Sequence, residues 1–129
     1  MYKKEDYLLQ QITLFTKTLA KLIALIKANQ FDDAQEMIMQ KINTEIQNGL
    51  LQNDEQLLAN TNKQVLEIQI ELAYQQIIIL DLLDDENFKI KVSECLIMIK
   101  NYNNLNSSVF NFELNNKIKK LEGIIENIG

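Results

Sequence analysis

The sequence predicts an all-α fold of antiparallel helical hairpins, with about five long helices and one short one in a single domain over residues 1–129. Three observations lead there. The chain has no proline and three glycines, so few residues break a helix. Apolar residues recur at three- and four-residue steps along nearly its whole length. The one strand-like run, Ile77 to Leu80, lies between stretches of helical pattern without turn residues, and helix is the better reading there.

The first helix is expected from about Glu5 to Asn29. Leu8, Ile12, Phe15, Leu19, Leu22 and Ile26 form one stripe, and Ile23 and Leu25 widen it. A short turn follows, and a second helix is expected from about Asp32 to Gln47, with Ala34, Ile38, Ile42 and Ile46 on one face. Asp32 suits its N-cap, and Asn48-Gly49 suits its end, because glycine accepts the left-handed conformation that follows a helix. Residues 50–60 read either as a loop pinned by Leu57 and Leu58 or as a short helix capped by Asn53-Asp54. Thr61 and Gln64 have capping-box spacing for a helix from about Asn62 to Leu83. Its apolar surface is the widest in the chain, which makes it the central helix. Asp84 is the expected N-cap of the next helix, with Leu83 and Phe88 at hydrophobic-staple spacing. Phe88, Val92, Cys95, Leu96, Ile99 and Tyr102 form its buried face. Asn101 to Ser108 is polar and breaks the pattern. The last helix is expected to start near Ser107 or Ser108 and carries the seam Leu114, Ile118, Leu121, Ile125 and Ile128.

Composition excludes much chemistry. Without histidine there is no Ser-His-Asp triad and no imidazole metal ligand; without arginine there is no bidentate clamp for phosphate. No cofactor is expected. Lysine alone on a chain of net charge −5 makes a poor nucleic-acid surface, and no glycine-rich phosphate loop is present. One cysteine suits a reducing compartment, so a cytoplasmic location is expected. No apolar stretch approaches the roughly 18 residues of a membrane span. The abundance of Asn, Ile and Lys fits AT-rich, bacterial coding. Residues 32–86 carry twelve acidic side chains and two lysines, between two weakly basic ends. Solvated helix faces are the ordinary explanation; an acidic surface for a basic partner is the sharper one.

Two turns look alike. Phe31-Asp32-Asp33-Ala34 opens the second helix, and Leu83-Asp84-Asp85-Glu86 opens the fifth. Each resembles the middle of a tetratricopeptide repeat, with Asn29 and Asp84 taking the glycine position of that turn. The copies lie about 55 residues apart instead of 34. The opening Glu5-Asp6-Tyr7-Leu8-Leu9, with Gln11-Ile12, Phe15 and Leu19 to Ile23, and the later segment Phe112 to Ile118 resemble an uncharacterised family of small bacterial helical proteins with tetratricopeptide-like hairpins. That resemblance implies a fold and no activity.

Candidate chemistry is sparse. Asp81, Asp84, Asp85 and Glu86 lack the spacing of a calcium loop, and helix capping explains them better. Glu67 and Glu71 have the i,i+4 spacing of di-iron bundles but no histidine partners, so an exposed acidic face is expected. Cys95 sits on an apolar stripe and reads as a small hydrophobe. Tyr7, Tyr74 and Tyr102 read as core-edge rings with solvated hydroxyls. The leading reading is a non-catalytic interaction module for a protein or peptide. Gln10, Gln11, Gln64 and Gln75 are its candidate peptide-holding carboxamides. Leu114, Ile118, Leu121 and Ile125 form a seam that either caps the fold, with Lys117, Lys119, Lys120 and Glu122 outward, or pairs two copies as a homodimer. A small ligand-binding bundle or enzyme with an internal pocket is the alternative. A membrane-surface role for the first helix, through Lys17, Lys21 and Lys27, is a third reading.

Overall fold

The computed structural model describes the backbone of residues 4–105 and 112–128, and the side chains of residues 9, 10, 13–105 and 113–126. Among these residues the regular elements are all helices: α1 (Lys4–Lys27), α2 (Phe31–Lys41), α3 (Thr44–Gln52), α4 (Glu55–Ala59), α5 (Lys63–Leu82), α6 (Phe88–Leu105) and α7 (Phe112–Ile128). The all-α expectation and the short helix near residues 54–60 are met. The expected start of the last helix at Ser107 or Ser108 lies outside the described residues.

The expected second helix is two helices. Ile42 leaves the helical region (φ −69°, ψ 131°), and Asn43 caps α3 by accepting the Ile46 N–H at 3.2 Å. An interrupted helix strands backbone groups, and these must be satisfied elsewhere. Gln69 of α5 does this, although it is only 6% exposed. Its Oε1 accepts the Asn43 N–H at 2.9 Å, and its Nε2 donates to the Lys41 carbonyl at 3.4 Å. Gln47 Nε2 donates to the Gln69 carbonyl at 3.2 Å, so both chains are tied at the break. Ile42 and Ile46, expected on one face, therefore pack in different clusters.

Gly49 does not end a helix. It lies inside α3, where a Cβ would collide with Leu57 Cδ2, so its role is to admit α4 closely. The left-handed residue is Asn53 (φ 54°), and the Asp54 N–H returns to the Gly49 carbonyl at 2.9 Å. Asn29 (φ 61°) and Asp84 (φ 53°) close α1 and α5 in the same way, with bonds from Gln30 N–H to Leu25 O and from Asp85 N–H to Leu80 O, both 2.9 Å. All three turns have the six-to-one bond of a Schellman motif, built on Asn or Asp in place of glycine. Asp84 thus ends α5 and does not cap α6; α6 begins at Phe88, after a turn in which Asp85 Oδ1 accepts the Asn87 N–H at 2.8 Å. Nor does Asp32 cap α2, since the N-cap position falls at Gln30 and Asp32 lies in the first turn. At α5 the cap is Asn62, whose Oδ1 accepts the Gln64 N–H at 2.8 Å, while Thr61 donates back to the Leu57 carbonyl. Helix α6 also runs through the polar stretch to Leu105. Tyr102 is buried there, and Asn101 Nδ2 donates to the Leu50 carbonyl at 2.6 Å.

Helix α5 is the centre, as its wide apolar surface predicts. It packs between α2 and α6, and α6 carries α3 and α7. Two clusters result. The larger joins Leu50, Leu58, Leu66, Ile70, Ile77, Val92, Ile99, Tyr102, Leu114 and Leu121. The smaller joins Leu22, Ala34, Ile38 and Ile79, with Leu25, Ile26 and Phe31 against it. Ile77 and Ile79, two residues apart on α5, belong to different clusters. Among the described side chains of α1, Leu22 is fully buried, whereas Leu9 and Leu14 are 63% and 53% exposed.

Candidate groove between α1, α5 and α7

A groove of about 550 Å³ runs along the α5 surface. Phe15 and Leu19 of α1 form one wall, and Glu113, Leu114 and Lys117 of α7 form the other. The floor is Gln64, Glu67, Ile68 and Glu71. The spacing of Gln64, Glu67 and Glu71, continued by Gln75, keeps a polar stripe on one face of an otherwise buried helix.

The stripe is organised by hydrogen bonds and one ion pair. Lys117 Nζ lies 2.9 Å from Glu71 Oε2, with both side chains largely buried (16% and 22% exposed). Gln75 Nε2 donates to Glu71 Oε1 at 3.1 Å. The Lys117 ammonium also sits 5.2 Å above the centre of the Tyr74 ring, within cation–π range. Tyr102 reaches the same floor from behind, its hydroxyl donating to Glu67 Oε1 at 2.7 Å. Burial raises the Tyr102 phenol, and its bond to the Glu67 carboxylate raises it further. Burial also raises Tyr74, against the opposing pull of Lys117. Cys95 is pushed up to about 12 by burial, with Glu71 adding to the rise. It is a neutral thiol at neutral pH and a poor nucleophile.

Several sequence expectations are corrected here. Glu67 and Glu71 are half-buried and engaged, not members of an exposed acidic face. The Tyr102 hydroxyl is bonded to a carboxylate, not solvated. Lys117 points into the groove, not outward. One signal for Lys117 was present: at i+3 from Leu114 it lies beside the apolar seam.

The candidate site residues separate into groups. Gln64 lies in the groove, and Gln75 extends its polar stripe through Glu71. Gln10 is exposed on α1 beside Leu9, Thr13 and Leu14, away from the groove. The side chain of Gln11 lies outside the described residues. Leu114 and Leu121 are buried in the chain's own core, Ile118 packs against it, and Ile125 is 37% exposed. Leu121, at 0% exposure, is covered by the chain itself.

Among the described residues no group of three or more Cys, Asp or Glu side chains is placed to hold a metal ion, and no helix is long and apolar enough to cross a membrane. No family model, no curated protein and no solved structure matches this chain.

Proposed function

We propose that this protein is a non-catalytic interaction module, acting in the cytoplasm, whose groove between α1, α5 and α7 receives a segment of another protein. The observation that carries this reading is the polar stripe on α5. A central helix otherwise buries its polar side at a cost, and here that side opens to a trough walled by Phe15, Leu19 and Leu114. The groove offers fixed carboxylates, a carboxamide and apolar contacts, which suit recognition. The nearest thiol is neutral and buried.

A tetratricopeptide-like arrangement is consistent with this reading. Such repeats stack into a curved layer with an extended concave binding surface. Helices α1, α5 and α7 line this groove, and α2 and α6 do not. Asn29 and Asp84, which match the glycine position of the repeat turn, both take the left-handed conformation that glycine favours. The inserted helices α3 and α4 account for the long spacing between the two turns.

The test is affinity purification from the native cell with the parent protein and Ile68→Lys in parallel. A protein retained by the parent and lost with Ile68→Lys supports the groove. Identical proteins retained by both would refute it, provided circular dichroism shows the variant folded.

A further inference from the structure

We propose that Met39 is a site of reversible oxidation to the sulfoxide by hydroperoxides, and that Gln76 holds the oxidised side chain. Two independent observations meet there. The first is access. Met39, on α2, is 57% exposed, whereas Met98 is 2% exposed and Met37 packs against the smaller cluster. A peroxide must reach the sulfur to react, so among these three Met39 reacts first. The second is the neighbour. Gln76, on the central helix α5, is only 7% exposed, and its Nε2 donates to Met39 Sδ at 3.4 Å. A thioether is a weak acceptor, and a buried carboxamide is normally matched to a strong one. Gln69, two turns earlier on α5, shows the contrast, because its carboxamide serves two backbone groups.

Oxidation corrects that mismatch. A sulfur lone pair attacks one oxygen of hydrogen peroxide, and the O–O bond breaks. Sulfur loses two electrons, the S–OH cation passes its proton to the departing hydroxide, and the products are the sulfoxide and one water. The sulfoxide oxygen is a strong acceptor. The exposed Met39 side chain has room to retreat until that oxygen meets Gln76 Nε2 at ordinary hydrogen-bond distance. Inside a core the polar sulfoxide disrupts packing. Here it meets a donor already in place, so oxidation fastens α2 to α5 instead of loosening it. A methionine sulfoxide reductase with a dithiol as reductant reverses the step and releases the oxygen as water.

Graded hydrogen peroxide followed by peptide mass spectrometry tests the access. Met39 should be oxidised about ten-fold faster than Met37 and Met98, and a rate at either of those equal to that at Met39 would overturn the proposal. Thermal melts test the role of Gln76. Oxidation should raise the midpoint of the parent by about 2–4 °C and should not raise that of Gln76→Leu. An unchanged or lowered midpoint in the parent, or an equal rise in Gln76→Leu, would overturn the proposal. Met39→Leu should abolish the rise; a rise that persists would assign it to another methionine and overturn it too. Nuclear magnetic resonance of the parent needs no variant to fold. The Gln76 side-chain amide proton should move downfield on oxidation and return when a methionine sulfoxide reductase and a dithiol are added. A resonance that stays in place would overturn the assigned contact, and a shift that never returns would overturn its reversibility.

Discussion

The phenol of Tyr102 on α6 donates to the carboxylate of Glu67 on α5 at 2.7 Å, although Tyr102 is 1% exposed. One ring is therefore both core filler and support for a groove carboxylate. A hydrogen bond to a charged group contributes about 1.5–3 kcal/mol. Tyr102→Phe should lower stability by about that amount in urea denaturation, while Glu67→Gln, which keeps an acceptor, should cost less. The reverse order would mean that Glu67 is held by something other than Tyr102.

Gln69 closes the gap between α2 and α3. Gln69→Leu keeps the bulk and removes the carboxamide that serves Asn43 and Lys41. Each lost bond with a stranded buried partner costs about 1–3 kcal/mol, so a loss of at least about 2 kcal/mol is expected. Gln56→Leu, at an exposed position on α4, should change stability by about 0.5 kcal/mol or less. Equal effects in denaturant melts would show that the break is satisfied by other groups.

The left-handed position at the end of α3 is Asn53, not Gly49. Asn53→Val places a branched side chain at φ 54° and should cost about 1–2 kcal/mol, whereas Asn53→Gly should be neutral or stabilising. Thermal melts that rank the two variants the other way would refute the assigned turn.

Alkaline pH should destabilise the fold through Cys95. Its thiol ionises near 9 when unfolded and at about 12 when folded. Between those values the unfolded chain has released a proton that the folded chain keeps, so stability falls as pH rises. The slope from this one group approaches about 1.4 kcal/mol per pH unit midway between them. Below pH 8 it contributes no slope. Cys95→Ala should flatten the decline between pH 9 and 11, whatever it does to absolute stability; an unchanged slope would assign the decline to the tyrosines.

The fold was legible where one physical signal dominated. Periodicity placed α5 at the centre, and Leu66, Ile70 and Ile77 are buried as their spacing implied. It failed where a tertiary group replaced a local one. Near Ile42 the local signal is Asn43 alone, a favoured N-cap type set in an unbroken apolar period, and the residue that satisfies the break, Gln69, lies 26 positions beyond Asn43. Gly49 misled for a similar reason: its missing side chain serves a neighbour, Leu57, and not its own backbone. The groove was half legible. Gln64 and Gln75 stand out in the sequence as polar handles, whereas the spacing of Glu67 and Glu71 between them predicts a solvated face. Whether a carboxylate meets water or Lys117 depends on where α7 docks, and helical spacing within α5 says nothing of that.

The division of the interior between Ile77 and Ile79 has a thermodynamic consequence. Helices α1 and α2 share a small cluster with Ile79, while α3, α4, α6 and α7 share the larger one with Ile77. A protein with two such clusters opens in parts, and the part with less buried area opens at lower free energy. Amides in α1 and α2 should therefore exchange with solvent before those of α5 and α6. Phe15 and Leu19 belong to the part that opens first, while the carboxylate-bearing floor and the α7 wall belong to the part that opens last. A ligand in the trough would bridge the two and draw their unfolding into one event, so its binding would be measurable as a gain in cooperativity even where it adds little to the midpoint of the melt.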